Sequence, residues 1–364
     1  MLRAVWVLQV FALWSLMNPQ AAAGDSFVFV SLLQERKIVT FQRSVDSGDL
    51  LRTQVTKCSA EPAYLTASKD GRVLFVSYRS SGQLASFNID ASTGKLNLIN
   101  VVEGGEDPAF LVPDRTGRFL LTAYYVSNKV TVHRVDADGR LSEQPVCSLP
   151  TAANAHGVAI DSKNQSAYVS HTGANRIDQF GFDQETGILM PLDPPFVTAN
   201  AIQNPRHLVM HPSNRWAYCS NEAGGNKEDG ASLYARDATT MQLKHEQSVL
   251  SLPGTFDANQ NSTAECLLTP DGKFLYVANR GHNSIAGFSV NQSNGHLTGV
   301  SITPTEAVPR SFTISADGRH LYVAGEASGR VASYAIQASG ELKPLAVVDS
   351  GPISWAIIAV DINR

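Results

Sequence analysis

Apolar and polar residues alternate at a period of two through most of this chain, in stretches of four to seven residues separated by Pro-Asp-Gly, Asp-Gly and Asn-Gly. Such alternation predicts half-buried β-strands joined by tight hairpin turns, and a helical period is absent. The clearest stretch is AECLLTPDGKFLYVANRGHNSIAGFSVNQSNGHL, Ala264 to Leu297, with turn residues at Pro270 to Gly272 and at Asn294 and Gly295. The phrase returns as full copies beginning near Pro62, Pro108, Ala155, Pro205, Thr263 and Pro309, 46 to 58 residues apart. That period belongs to propeller blades of four short strands.

A half-copy stands at each end. Phe27 to Phe41 (FVFVSLLQERKIVTF) fits the second and third strands of a repeat, and Gly48 to Leu50 opens its fourth, but no first strand precedes them. Gly351-Pro352-Ile353-Ser354-Trp355 and the apolar run to Val360 read as that missing strand. Joined, the two ends make a seventh blade, which pairs edges that would otherwise stay open. The expected fold is therefore all-β, a seven-bladed propeller of four-stranded antiparallel blades forming one domain over residues 24–364.

Composition narrows the function. At 43% hydrophobic and 17% charged, 364 residues can build a large core, and the repeat overrides the two-domain expectation from length. A net charge of -4 without a Lys/Arg run argues against nucleic acid or an anionic membrane as partner. Residues 1–23 read as a signal peptide: Arg3, an apolar stretch from Ala4 to Leu16 too short to span a bilayer, and Ala21-Ala22-Ala23 as cleavage site. The mature protein is expected to be exported, periplasmic or secreted, with no membrane contact. Export permits disulfides. Cys58 and Cys147 are too far apart to pair, whereas Cys219 and Cys266, on adjacent blades, are either bridged or two buried thiols. No cysteine has metal-site spacing, and Walker, G-x-S-x-G and H-E-x-x-H motifs are absent, so neither metal nor cofactor is expected.

Hairpin geometry locates candidate chemistry. The first strand of a blade runs along the channel and the second returns, so residues equidistant from the turn end at the same face. Counting from Asn214 sets Arg206 opposite Glu222; from Gly272, Ala264 opposite Arg280; from Gly318, Arg310 opposite Glu326. Around the ring the first mouth position reads Ala63, Ala109, His156, Arg206, Ala264, Arg310 and Ile353, and the next Tyr64, Phe110, Gly157, His207, Glu265, Ser311 and Ser354. Structural positions of a repeat stay alike, so slots that change from Ala to His to Arg are candidate pocket positions. Alone, Arg206 with Glu222 fits a stiffening ion pair and His156 a structural histidine. Their convergence, with Arg280 and Arg310, on one side of an otherwise aromatic and aliphatic mouth points to a polar, anionic or polyhydroxyl ligand.

The segments NPRHLVMHPSNRWAYCSNE (Asn204 to Glu222), TAECLLTPDGKFLYVANRGHNSIAGFSV (Thr263 to Val290) and VPRSFTISADGRHLYVAG (Val308 to Gly325) resemble the seven-bladed propeller lactonases, the family of bacterial 6-phosphogluconolactonases and the fungal carboxy-muconate lactonising enzyme. The resemblance runs from about Ser26 to Ile362, and Asn279-Arg280-Gly281-His282 is its most specific part. It implies a metal-free site with His156, Arg206, Glu222 and Arg280 as catalytic residues. His207, Asn221, Glu265, Asn279, His282 and Arg310 are then candidates for substrate binding. The expected partner is a small-molecule lactone or sugar acid, bound by a monomeric chain. Hydrolysis of a sugar lactone, with Glu222 or His156 as general base, is the leading expectation. Lactonisation of a muconate-like diacid and a non-catalytic exported binding propeller are the alternatives. Export separates the chain from the cytosolic sugar phosphates of the pentose phosphate pathway, so a phosphate on the substrate is left open.

Overall fold

The computed structural model describes residues 26–198, 201–222 and 230–362; the expected signal peptide lies outside them. Seven four-stranded antiparallel sheets form a ring. Blade I is the split one, ordered Ser354–Asp361, Ser26–Leu32, Lys37–Arg43, Leu50–Lys57 from the channel outward. The inner strands of blades II to VII are Pro62–Ala67, Pro108–Pro113, Ala155–Ile160, Pro205–Met210, Thr263–Leu268 and Pro309–Ile314. Their starts coincide with the six repeat origins. Closure is an antiparallel ladder between the termini, with Phe27 opposite Val360 and Val30 opposite Ile357.

Each blade buries both faces against its neighbours, which is why the second strands are almost wholly buried and mostly apolar. The repeated tyrosine of the second strand is fully buried in blades IV to VII, as Tyr168, Tyr218, Tyr276 and Tyr322. Each phenol reaches into the outer turn of the next blade and donates to a backbone carbonyl: Tyr168 to Met241, Tyr218 to Gly295 at 2.8 Å, Tyr276 to Gly340 at 2.8 Å, Tyr322 to Gly48 at 3.1 Å. The glycines there need their positive φ, and a Cβ at Gly295 would stand 2.6 Å from the Trp216 ring. The tyrosines thus supply apolar area and satisfy a turn carbonyl with one side chain.

The mouth register departs from the simple count. Leu208 pairs with Cys219 but Pro205 with Asn221, so Arg206 and His207 together oppose Ser220. This is a β-bulge, and an irregularity stands at the corresponding place in every blade. The four-residue turn also centres between residues rather than on one. Together these shift the pairing by two at the mouth: Arg206 does not sit across from Glu222, Ala264 from Arg280, or Arg310 from Glu326. Pro309, for instance, pairs with Gly325.

A second contact fixes the mouth. The first residue past each second strand donates its N–H to the residue preceding the inner strand: Glu222 to Asn204 (2.9 Å), Arg280 to Ser262 (3.0 Å), Glu326 to Val308 (2.9 Å) and Leu33 to Ile353 (3.3 Å). That equivalence aligns Ile353 with Asn204. The mouth pair of blade I is consequently Trp355 and Ala356, not Ile353 and Ser354. All four cysteines are free, which resolves Cys219 and Cys266 as two buried thiols.

Candidate active site

The bulges turn successive residues of one strand toward the channel, so a single blade can contribute two side chains to the mouth. A narrow pit there is lined by His156 of blade IV, Arg206 and His207 of V, Glu265 of VI, Arg310 and Ser311 of VII, Tyr64 and Arg79 of II, Ala109 of III and Trp355 of I. Serines on the second strands hold the bulges in place: Ser170 donates to the Arg206 carbonyl (2.6 Å) and Ser220 to that of Ala264 (2.7 Å), each across a blade boundary.

Charge pairing organises the pit. Glu222 Oε1 accepts from Arg280 Nη2 at 2.5 Å and lies 3.6 Å from Arg206 Nε. Arg280 is anchored further by the carbonyls of Ser262 (3.2 Å) and Thr263 (3.0 Å). Burial would raise the Glu222 pKa, but Arg206 and Arg280 outweigh it and hold the carboxyl below its ordinary value. Arg206 is almost wholly buried, and desolvation with Arg280 nearby lowers it to about 9, still charged at neutral pH. Arg310 stacks on Trp355 with its guanidinium carbon 3.6 Å from the ring centre, and Arg79 lies 5.3 Å from the same ring. Arg310 pairs with Glu326 at 3.5 Å, and Arg79 with Asp107 at 2.7 Å.

Both histidines are neutral. His207 Nδ1 meets Glu265 Oε1 at 2.7 Å, so this nitrogen carries the proton, and Nε2 accepts from Arg206 Nη1 at 3.1 Å. Burial lowers the His207 pKa to about 4 despite the Glu265 charge. His156 sits between Tyr125, 5.6 Å away, and His207, 5.1 Å away, and its buried Nδ1 has no hydrogen-bond partner. Burial, then the charges of Arg206 and its neighbours, hold its pKa well below the usual imidazole value.

Of the residues singled out from sequence, His156, Arg206, His207, Glu265 and Arg310 line the pit, and Glu222 and Arg280 are joined to Arg206. Three others are elsewhere. Asn221 is fully buried and donates to Ser232 on the next strand (2.8 Å), while Asn279 donates to the carbonyl of the loop residue Ser251 (2.8 Å), so both are spent on holding the blade together. His282 bonds Ser284 (2.8 Å) and packs edge-on against Phe256, away from the pit. Trp355 was missed because its strand has no hairpin in sequence from which to count. Among the described residues, no cluster of His, Cys, Asp or Glu is arranged to hold a metal ion.

The pit itself is small, with about 10 Å³ of free space, room for a single water molecule. At Arg79 and Trp355 it meets an open cleft of about 990 Å³ over blades I to III.

A family model described as "Lactonase, 7-bladed beta-propeller" matches residues 28–355. The chain is 32% identical over 228 residues to a 6-phosphogluconolactonase of Pectobacterium carotovorum, covering 62% of this chain and 67% of the relative. It is 33% identical over 221 residues to a 6-phosphogluconolactonase of Erwinia tasmaniensis, covering 60% and 64%. The periplasmic gluconolactonase of Pseudomonas aeruginosa superposes with a TM-score of 0.84 at 25% identity, over 93% of this chain and 100% of that one.

Proposed function

The chain belongs to the seven-bladed β-propeller lactonase family, and from that membership we propose that it hydrolyses a sugar lactone at the arginine-lined pit of its mouth. The observation that carries the placement is the meeting of His156 and Arg206, from two blades, in one water-sized cavity, with Glu222 pairing Arg206 and linking it to Arg280 of a third.

His156 is the general base of this reading and Glu222 is not. Glu222 accepts from Arg280 and is ion-paired with Arg206, which lowers its pKa and leaves it charged, engaged and outside the pit lining. His156 is unprotonated at neutral pH and poised in the pit. A water in the pit loses its proton to His156 as it adds to the lactone carbonyl. Arg206 and Arg280 stabilise the negative charge developing on the carbonyl oxygen. That charge in turn raises the basicity of His156 during the step, offsetting the depression caused by the arginines. The ring C–O bond then breaks, His156 returns the proton to the departing ring oxygen, and the carboxylic acid formed releases its own proton to solvent, leaving a carboxylate beside the arginines. Glu265 and His207 act through Arg206: the carboxylate fixes the histidine tautomer, and Nε2 then fixes the guanidinium. Hydrolysis of glucono-1,5-lactone in a pH-stat, corrected for the spontaneous reaction, tests the reading. Turnover by the wild type that is lost by more than a hundredfold in Arg206→Ala supports it, and a rate equal to buffer alone ends it.

Export is part of the same reading, supported by the leader pattern over residues 1–23 and by the periplasmic location named for the P. aeruginosa relative. Mass spectrometry of the protein from its native host should show a mature chain starting at Gly24. A monomer is expected, checked by sedimentation.

A further inference from the structure

The pit cannot contain a sugar ring, since it has space for one water. The bulk of any lactone must therefore lie outside it, and the adjoining space is the cleft, which shares Arg79 and Trp355 with the pit. The cleft is made by the ends of the second strands of blades I and II and by the Glu103–Asp107 connection between blades II and III. Its charge is opposite to that of the pit. Glu103, Glu106 and Asp107 line it; Arg79 is already taken by Asp107 at 2.7 Å, and Lys129 reaches its edge, where the Gly104 carbonyl holds the ammonium at 2.8 Å. The hydroxyls of Ser80 and Ser81 add hydrogen-bonding groups, the N–H groups of Gly104 and Gly105 being spent on the Gly82 carbonyl, and Trp355 supplies an aromatic wall.

Sugar geometry orients a substrate across these two regions. In a six-membered aldonolactone, C4 and the C6 arm lie across the ring from the C1 carbonyl. With the carbonyl facing Arg206 and Arg280 on blades V and VI, substituents at O4 or O6 point toward blades I to III. We propose that this cleft is a second subsite, built for a neutral glycosyl group on the lactone, so that the preferred substrate is an unphosphorylated lactone of a disaccharide acid. The proposal rests on the lactonase reading. A phosphate at O6 would sit among three carboxylates against Arg79, paired with Asp107, and Lys129, a net negative surrounding that disfavours it. A second sugar would pack against Trp355 and bond the serines and carboxylates.

The test compares kcat/KM for glucono-1,5-lactone, its 6-phosphate, and cellobiono-1,5-lactone, which carries glucose at O4. The wild type should favour the disaccharide lactone over gluconolactone by about tenfold and disfavour the phosphate by about tenfold at low salt, the second gap closing as salt is added. The Glu103→Gln/Glu106→Gln double variant should raise the phosphate rate relative to gluconolactone. Val126 of blade III also lines the cleft, and Val126→Trp, which fills it, should bring the disaccharide-to-monosaccharide ratio down toward one. A wild type that prefers the phosphate, or ratios that ignore both variants, overturns the subsite. Calorimetry with the product acids keeps the two readings apart. If no lactone is turned over, the hydrolytic reading fails, and cellobionate binding no tighter than gluconate would overturn the subsite on its own.

Discussion

Replacing His156 with leucine should separate stability from activity. The imidazole is buried, its Nδ1 has no partner, and neither a carboxylate nor a carbonyl orients it. A buried unsatisfied polar atom costs about 1–3 kcal/mol. Leucine removes that cost, keeps nearly the same volume, and gives up only the ring contacts with Tyr125 and His207, worth about 1 kcal/mol. The net change in folding free energy is thus between about zero and +2 kcal/mol, and in a propeller of this size Tm should hold or rise by a few degrees. Activity should move the other way. Losing a general base lowers kcat by about 10²–10⁴, equal to roughly 3–5 kcal/mol of transition-state stabilisation. Calorimetry and a pH-stat on the same preparation give both numbers. A variant that melts several degrees lower, with activity falling in proportion to unfolded protein, would make His156 a structural residue. One that keeps kcat/KM within tenfold of wild type would return the base role to Glu222.

The buried histidines also set a pH response. His207 and His133 are held neutral by burial with pKa values of about 4, and His156 is lowered as well, whereas in the unfolded chain each protonates near 6.5. Between those values the unfolded state binds more protons, so stability is full above about pH 6.5 and falls as pH drops toward 4, by up to roughly 3 kcal/mol for each of His207 and His133, with His156 acting in the same direction. Guanidinium unfolding at pH 7 and pH 5 measures the difference, and an unchanged midpoint refutes it. Glu265→Ala frees the His207 tautomer, and should lower kcat more than it raises KM, by about tenfold; Glu265→Gln, which can still accept from Nδ1, should recover most of the loss. Tyr218→Phe removes the bond to the Gly295 carbonyl and should cost about 1 kcal/mol in chemical denaturation without changing kcat.

Blade boundaries were legible because the chain states them repeatedly and in local terms. The turn residues fix where each hairpin reverses, and a tyrosine at one position of successive repeats marks the second strand. Ring closure could be read too, since half-phrases at both ends complete one another. The position of Trp355 could not. Register in a hairpin is counted from its turn, and the inner strand of blade I is joined to its partner through the whole ring, from Leu32 to Ser354. With no turn to count from, an apolar run slides by two residues without breaking its alternation. The ladder to Ser26–Leu32 and the hydrogen bond from Leu33 to Ile353, both formed only in the closed ring, pin it.

The bulge explains why the site itself was found by a count that was wrong in detail. A regular inner strand would present Arg206 to the mouth and turn His207 toward the neighbouring blade, and the same would hold for Arg310 and Ser311. With two residues opposing Ser220, both are brought to the pit. Neighbours in sequence thereby become neighbours in the site, which is what lets Arg206 donate to the ring of the very next residue. A count that places a functional residue anywhere in this two-residue window selects the right blade. Fold and chemistry are consequently separable in this chain: the tyrosines and turns hold the ring, while the bulged pair on each blade varies freely. Blade VI illustrates the freedom, with Ala264 buried and Glu265 reaching across to His207 of blade V, so that one blade supplies the anchor for its neighbour's arginine.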